Sequence, residues 1–203
     1  MVKIALQIRA NLECIGKLYT NHPNYQWFLK LKCSSCGEVS EKFHDLTEAD
    51  KVPQKHNRSE TNLLIKCKLC SRENSMDVIE GSNGAFTNED AGKFKTLVIF
   101  DCRGVEPVDF EPKSGWIAEA EENGTGFISQ MRRTEEKRNA AKKNSQRAEA
   151  TTTHTNISFL QLSIFGKKFD DVDLTEKEWV EYDETNQTSV GVYELEWQFI
   201  KVK

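Results

Sequence analysis

Apolar and polar residues alternate with a period of two along most of this chain, the signature of strands that bury one face. Over residues 4–12, Ile4, Leu6, Ile8, Ala10 and Leu12 fall on one side, while Lys3, Gln7, Arg9, Asn11 and Glu13 fall on the other. Residues 25–33 repeat the pattern with Tyr25, Trp27, Leu29 and Leu31 inward, and the strand delivers Cys33 at its end. Residues 39–43 are placed to pair back across it. The polar stretch 45–62, with Pro53, His56, Asn57 and Ser59, reads as a loop. Residues 63–66 and 75–79 read as two short strands, and residues 94–102 as a strongly apolar one. Residues 103–112 read as an edge segment with turns at Pro107 and Pro112, since proline removes a ladder donor. A short strand over 116–121 precedes the turn Asn123-Gly124-Thr125-Gly126. At the end of the chain Tyr193, Leu195, Trp197 and Phe199 alternate with Glu194, Glu196 and Gln198. Long helical periodicity is missing outside residues 131–150, so the pattern predicts an all-β protein.

A faint echo runs through that pattern. Phe43-His44-Asp45-Leu46-Thr47-Glu48 can be set beside Asp171-Val172-Asp173-Leu174-Thr175-Glu176, each at a bend between strands. Duplication and coincidence are evenly weighted on these residues alone.

With 203 residues, the chain suits one ordinary domain or two small ones sharing a core. No stretch approaches the roughly 20 apolar residues that span a bilayer, and the alternating first residues are unlike a signal peptide. The expectation is a protein of the cytoplasm, with the nucleus open to it, and no membrane partner. The formal net charge of −4 argues against general polyanion binding. Residues 131–150 are locally basic, with Arg132, Arg133, Lys137, Arg138, Lys142, Lys143 and Arg147. No aromatic residue interleaves there for base stacking, so a solvated, partly helical or disordered insert is favoured over a nucleic-acid arm or localisation signal. The apolar residues 157–165 have strand composition but no assigned partner.

Six cysteines in a reducing compartment call for a metal or redox reading rather than disulfides. Cys33-Ser34-Ser35-Cys36-Gly37 and Cys67-Lys68-Leu69-Cys70-Ser71 form two CxxC pairs. A tight turn with two intervening residues brings both sulfurs to one ion at about 2.3 Å, and two such turns complete a tetrahedron. Gly37 suits the positive φ such a turn needs past its second cysteine; Ser71 is a weaker match. Lys30, Lys32, Lys66, Lys68 and Arg72 flank the pairs and would offset the −2 of a zinc centre with four thiolates. The spacing is that of a structural zinc ribbon rather than a ferredoxin. A thioredoxin-type pair would open a helix after a strand, which neither pair does. The metal ligands are therefore Cys33, Cys36, Cys67 and Cys70, holding one structural Zn2+. Cys14 and Cys102 read as buried small hydrophobes in strands. His22, His44, His56 and His154 read as solvated.

Several segments together carry a resemblance to a known family: Lys3-Ile4-Ala5-Leu6-Gln7, Cys33-Ser34-Ser35-Cys36-Gly37-Glu38, Lys66-Cys67-Lys68-Leu69-Cys70-Ser71-Arg72-Glu73-Asn74-Ser75, Cys102-Arg103-Gly104-Val105-Glu106-Pro107-Val108-Asp109-Phe110, Glu176-Lys177-Glu178-Trp179 and Tyr182-Asp183-Glu184. They resemble the eukaryotic CXXC motif-containing zinc-binding proteins, over about residues 1–127 and 170–203. The resemblance implies two similar, pseudo-duplicated sandwich-like halves, the first holding one zinc on Cys33, Cys36, Cys67 and Cys70. It implies a first β half over 1–80, a second over 81–127 and 170–203, and an insert over 128–169. That insert reads either as a lineage-specific insertion or as retained non-coding sequence. The resemblance supplies no activity.

No Ser-His-Asp order, HExxH, P-loop or GxGxxG occurs. The leading functional expectation is a non-enzymatic, monomeric zinc protein that binds another protein. The alternative is thiol or soft-metal handling, in which a CxxC exchanges electrons or passes a metal onward.

Overall fold

The structure, a computed structural model, describes residues 2–54, 60–121 and 165–202. The described residues build fifteen strands: β1 Val2–Glu13, β2 Ile15–Thr20, β3 Trp27–Cys33, β4 His44–Leu46, β5 Val52–Pro53, β6 Glu60–Thr61, β7 Leu63–Lys66, β8 Glu73–Val78, β9 Phe86–Thr87, β10 Lys95–Arg103, β11 Val105–Glu111, β12 Trp116–Glu121, β13 Phe165–Val172, β14 Trp179–Asp183 and β15 Thr188–Val202. Among the described residues the only helix is a single 3-10 turn, Asn88–Asp90. The fold is all-β, as the alternation predicts.

A six-stranded sheet in the order β14-β15-β1-β10-β8-β7 forms one layer. Two smaller sheets, β11-β3-β4 and β13-β12-β2-β9, take the remaining long strands, and β5 pairs with β6 alone. Reading the large sheet backwards exchanges β1 with β10, β15 with β8 and β14 with β7. The same exchange turns β11-β3-β4 into β2-β12-β13, so the strand order has a pseudo-two-fold centre between β1 and β10. The chain leaves the large sheet at a residue with positive φ in both copies, Cys14 (φ 52) between β1 and β2 and Gly104 (φ 77) between β10 and β11. The paired halves expected from the resemblance are visible in this order.

The core lies between the layers. Ile4, Leu6, Ile8 and Ala10 of β1 are buried as predicted, with Leu12 half-buried. Trp27 and Trp116 each pack edge-on against Tyr25, and Trp27 also meets Phe100 and Phe110 at 5.9 Å between ring centres. Each such fully buried side chain contributes roughly 1.5–3 kcal/mol through removal from water, which makes this aromatic seam a main source of cohesion.

Several local expectations need correction, the loop over 45–62 among them, since β5 and β6 pair within it. Residues 39–43 make only an isolated bridge, Lys32 to Val39; the strand that pairs with β3 is β4, because the knuckle's return path delays pairing. Pro107 lies inside β11 rather than at a turn. The sheet absorbs the missing donor by placing β11 at an edge with a register shift between Pro107 and Asp109. Cys14 sits at the bend after β1, not within a strand, and is half-buried; Cys102 is buried in β10 as expected. The proposed insert falls outside the described residues except at its end, where β13 begins at Phe165 and pairs with β12. The basic run 131–150 and the apolar residues up to Ile164 also lie outside the described residues.

Candidate metal centre

Each CxxC pair is folded by the same backbone device. In the first, the Cys33 N–H donates to Glu38 O at 2.8 Å and the Gly37 N–H to Cys33 O at 2.9 Å. In the second, the Cys67 N–H donates to Arg72 O at 2.9 Å and the Ser71 N–H to Cys67 O at 3.0 Å. The fifth residue of each turn is left-handed: Gly37 at φ 80, and Ser71 at φ 58 despite its side chain. The weaker sequence match thus adopts the same conformation. Strand β3 ends in the first turn, and β7 and β8 flank the second.

The four sulfurs Cys33, Cys36, Cys67 and Cys70 lie within 4.8 Å of one another. Cys33 Sγ is 3.8 Å from Cys70 Sγ, and Cys36 Sγ is 3.5 Å from Cys67 Sγ. A tetrahedral ion with bonds of about 2.3 Å requires sulfurs about 3.8 Å apart, so the donor set fits zinc in both chemistry and spacing. Cys33 and Cys67 form a buried inner pair, whereas Cys36 and Cys70 are exposed. No histidine joins this cluster among the described residues. His22 instead pairs with Glu48 at 2.9 Å. His44 lies half-buried in β4, where burial pushes its pKa below the usual value; nearby Lys68 acts in the same direction and Asp45 against it. This corrects the expectation that it is solvated.

The electrostatics favour a cation at the centre of the four sulfurs. Backbone N–H groups of Cys36 and Ser35 hold the Cys33 thiol down to about 6. The Glu38 N–H acts on Cys36 in the same direction, but burial and the neighbouring thiols of Cys67, Cys70 and Cys33 outweigh it and push Cys36 up to about 12. A thiolate is therefore well accommodated at Cys33 and disfavoured at Cys36, as expected when like charges crowd; a divalent ion removes that conflict.

A supporting residue carried no sequence signal of its own. Asn74, buried in β8, points Nδ2 at Cys33 Sγ at 3.7 Å, a donor to sulfur that orients the ligand. Gly104 completes the support: its carbonyl accepts the Ser34 N–H at 3.0 Å, and a Cβ added to it would run into Asn74 Oδ1. An asparagine four residues past a CxxC could be recognised only after β8 was known to pass beneath the first knuckle.

An all-β fold with four cysteine sulfurs converging from two matched turns has the donor set of the class of zinc proteins with four thiolate ligands. Comparison with known proteins narrows this class: the chain belongs to the family of eukaryotic CXXC motif containing zinc binding proteins, whose model matches residues 5–136 and 134–200. It is 43% identical over 204 residues to UPF0587 protein CG4646 of Drosophila melanogaster, covering 100% of this chain and 99% of the relative. It is 37% identical over 201 residues to the CXXC motif containing zinc binding protein of Homo sapiens, covering 99% of each. The crystal structure of C1orf123 superposes with a TM-score of 0.73 at 35% identity, covering 98% of this chain and 99% of that one. A hypothetical protein from Plasmodium falciparum shares the fold, with a TM-score of 0.70 at 19% identity over 98% of this chain and 100% of that one.

Proposed function

We propose that this chain is a non-enzymatic zinc protein in which one structural ion on Cys33, Cys36, Cys67 and Cys70 locks two β-turns together, and that it works by binding another protein. The observation that carries the reading is the donor set: four sulfurs lie within 4.8 Å of one another, two of the separations, 3.5 and 3.8 Å, being close to a tetrahedral edge, and four thiolates on one ion leave no ligand position for substrate or activated water. A reducing compartment such as the cytosol is the setting in which such thiolates persist. Elemental analysis of the purified protein tests the centre, with one zinc per chain expected. A substoichiometric or different metal would count against it.

A second reading, metal or thiol exchange, draws on one feature: Cys36 and Cys70 are exposed. Titration of free thiols in the zinc-loaded native protein separates the two. A structural centre protects all four cysteines, whereas an exchange centre reacts rapidly at the outer pair and releases its ion.

A further inference from the structure

The large sheet ends in β14, whose outer edge no strand covers among the described residues. Such an edge presents unpaired main-chain groups at alternate residues. One of them is held by a stand-in: the Tyr182 N–H donates to the carboxylate of the neighbouring Glu181 at 3.2 Å. An arriving main-chain carbonyl can take that place. Val180 and Tyr182 lie two residues apart and so share one face of the sheet. They are 56% and 50% exposed, and among the large apolar side chains described only Leu69 is more open to water. Across the ladder they face Gly191 and Ser189, which are too small to cover them. The Tyr193 ring lies over Gly191, where a Cβ would come 2.7 Å from it. Tyr182, Val180 and Tyr193 thus form an apolar strip beside an open edge.

The charge around this strip has one sign. Glu176, Glu178, Glu181 and Glu184 are all exposed, and none has an ion-pair partner among the described residues. Lys177 is the only cation between them, and its Nζ sits 4.7 Å from the centre of the Trp197 ring. Glu13 accepts the Tyr193 hydroxyl at 2.9 Å. That bond, desolvation, and the charges of Glu13 and Glu178 push the Tyr193 pKa up. Carboxylates therefore reach the strip from β1 as well. Two copies of β14 laid edge to edge would bring these acids together, so self-pairing is disfavoured. A cationic strand meets no such repulsion. Lys and Arg can lay their apolar stems on Val180 and the tyrosine rings while their charged heads reach Glu178 and Glu181.

Resting on the protein-binding reading above, we propose that the partner adds to β14 as an extended strand bearing Lys or Arg. Its main chain pairs with the free edge at Val180 and Tyr182, and its cations meet Glu178 and Glu181.

The test uses the full, zinc-loaded chain and a phage-displayed library of random heptapeptides, followed by amide chemical-shift mapping with a synthetic enriched peptide. The expected outcome is enrichment of peptides rich in Lys or Arg, with shifts concentrated at Val180 and Tyr182. N-methylation of alternate peptide residues should abolish binding in one phase and spare it in the other, because only one edge of the peptide pairs. Affinity should fall about tenfold or more in the double variant Glu178→Gln, Glu181→Gln. It should stay unchanged in Glu89→Gln, which lies in the 3-10 turn outside the large sheet. Absent enrichment, enrichment of uncharged or acidic peptides, shifts elsewhere, indifference to the phase of N-methylation, or a dimer joined at β14 would each overturn the proposal. So would binding that appears only after residues 131–150 are deleted, since the chain's own basic run would then be the occupant. Cross-linking from a cell extract separates the two levels of failure. A partner held equally by the wild-type chain and the double variant removes the edge but leaves protein binding standing; no partner and no peptide remove both.

Discussion

Asn74 sits where the metal centre meets the core, with its amide N–H aimed at the Cys33 sulfur and its oxygen packed toward Gly104. Replacing it by alanine removes a donor to a charged ligand, and such contacts contribute about 1.5–3 kcal/mol. Losing a group that orients a metal ligand also weakens metal binding by roughly 10–100-fold. Asn74→Ala should therefore lower zinc affinity by about that factor in competition with a chromophoric chelator. An unchanged affinity would show that the 3.7 Å contact is incidental. Gly104→Ala acts on the same junction from the other side. Its φ of 77 is costly for any residue with a Cβ, by about 1–2 kcal/mol, and the new methyl displaces Asn74. Urea unfolding should show a loss of at least about 2 kcal/mol in this variant, together with weaker zinc retention. A loss of stability with normal zinc affinity would mean that the turn and the centre are uncoupled.

At the scale of elements, the pseudo-two-fold pairs the β7–β8 turn with the β14–β15 turn. The first is the second CxxC turn; the second is closed by a carboxylate. Asp183, fully buried, accepts the Thr185 N–H at 2.9 Å and the Asn186 Nδ2 at 2.8 Å, with the Asn186 N–H at 3.4 Å. Burial alone would raise its pKa, but these donors, with Lys167 nearby, hold it below the usual carboxylate value. Because the folded pKa is depressed, the stabilisation is complete above the unfolded value of about 3.9 and is lost as pH falls through the folded one. Asp183→Asn should cost about 1–3 kcal/mol at neutral pH. The gap from wild type should stay constant between about pH 5 and 8 and narrow below about pH 4. A gap that persists at low pH would assign the loss to packing instead. Much at this scale was legible from residues: the inward faces of β1 and β3, the extent of β7, and both CxxC turns follow from alternation and spacing. What alternation cannot supply is neighbours. That β1 lies between β10 and β15, or that β4 rather than residues 39–43 pairs with β3, depends on contacts far apart in sequence and on where a knuckle releases the chain. Asn74 and the bend at Cys14 were hidden for the same reason.

At the scale of the whole molecule, the two copies are interleaved. Strand β1 is flanked on both sides by strands from beyond residue 80, aligned with β10 from Val2 opposite Cys102 to Ile8 opposite Lys95, and with β15 from Lys3 opposite Val202 to Glu13 opposite Gly191. Strand β8 likewise reaches the large sheet through β10. A fragment of residues 1–80 would therefore keep the four clustered cysteines yet expose both edges of β1 and the apolar faces of Leu6 and Ile8, both fully buried in the intact chain. Such a fragment should still bind zinc, since both knuckles are closed by local hydrogen bonds, but it should unfold without cooperativity. Removing zinc from the intact chain should have the converse effect. Protection from hydrogen exchange should fall in β3, β7 and β8, which carry or adjoin the knuckles, and persist in β12, β13, β14 and β15, which meet no ligand. Exchange mass spectrometry before and after chelation measures both sets at once. Uniform loss of protection would make the ion a keystone of the whole sandwich, and uniform retention would remove it from the stability of the fold altogether.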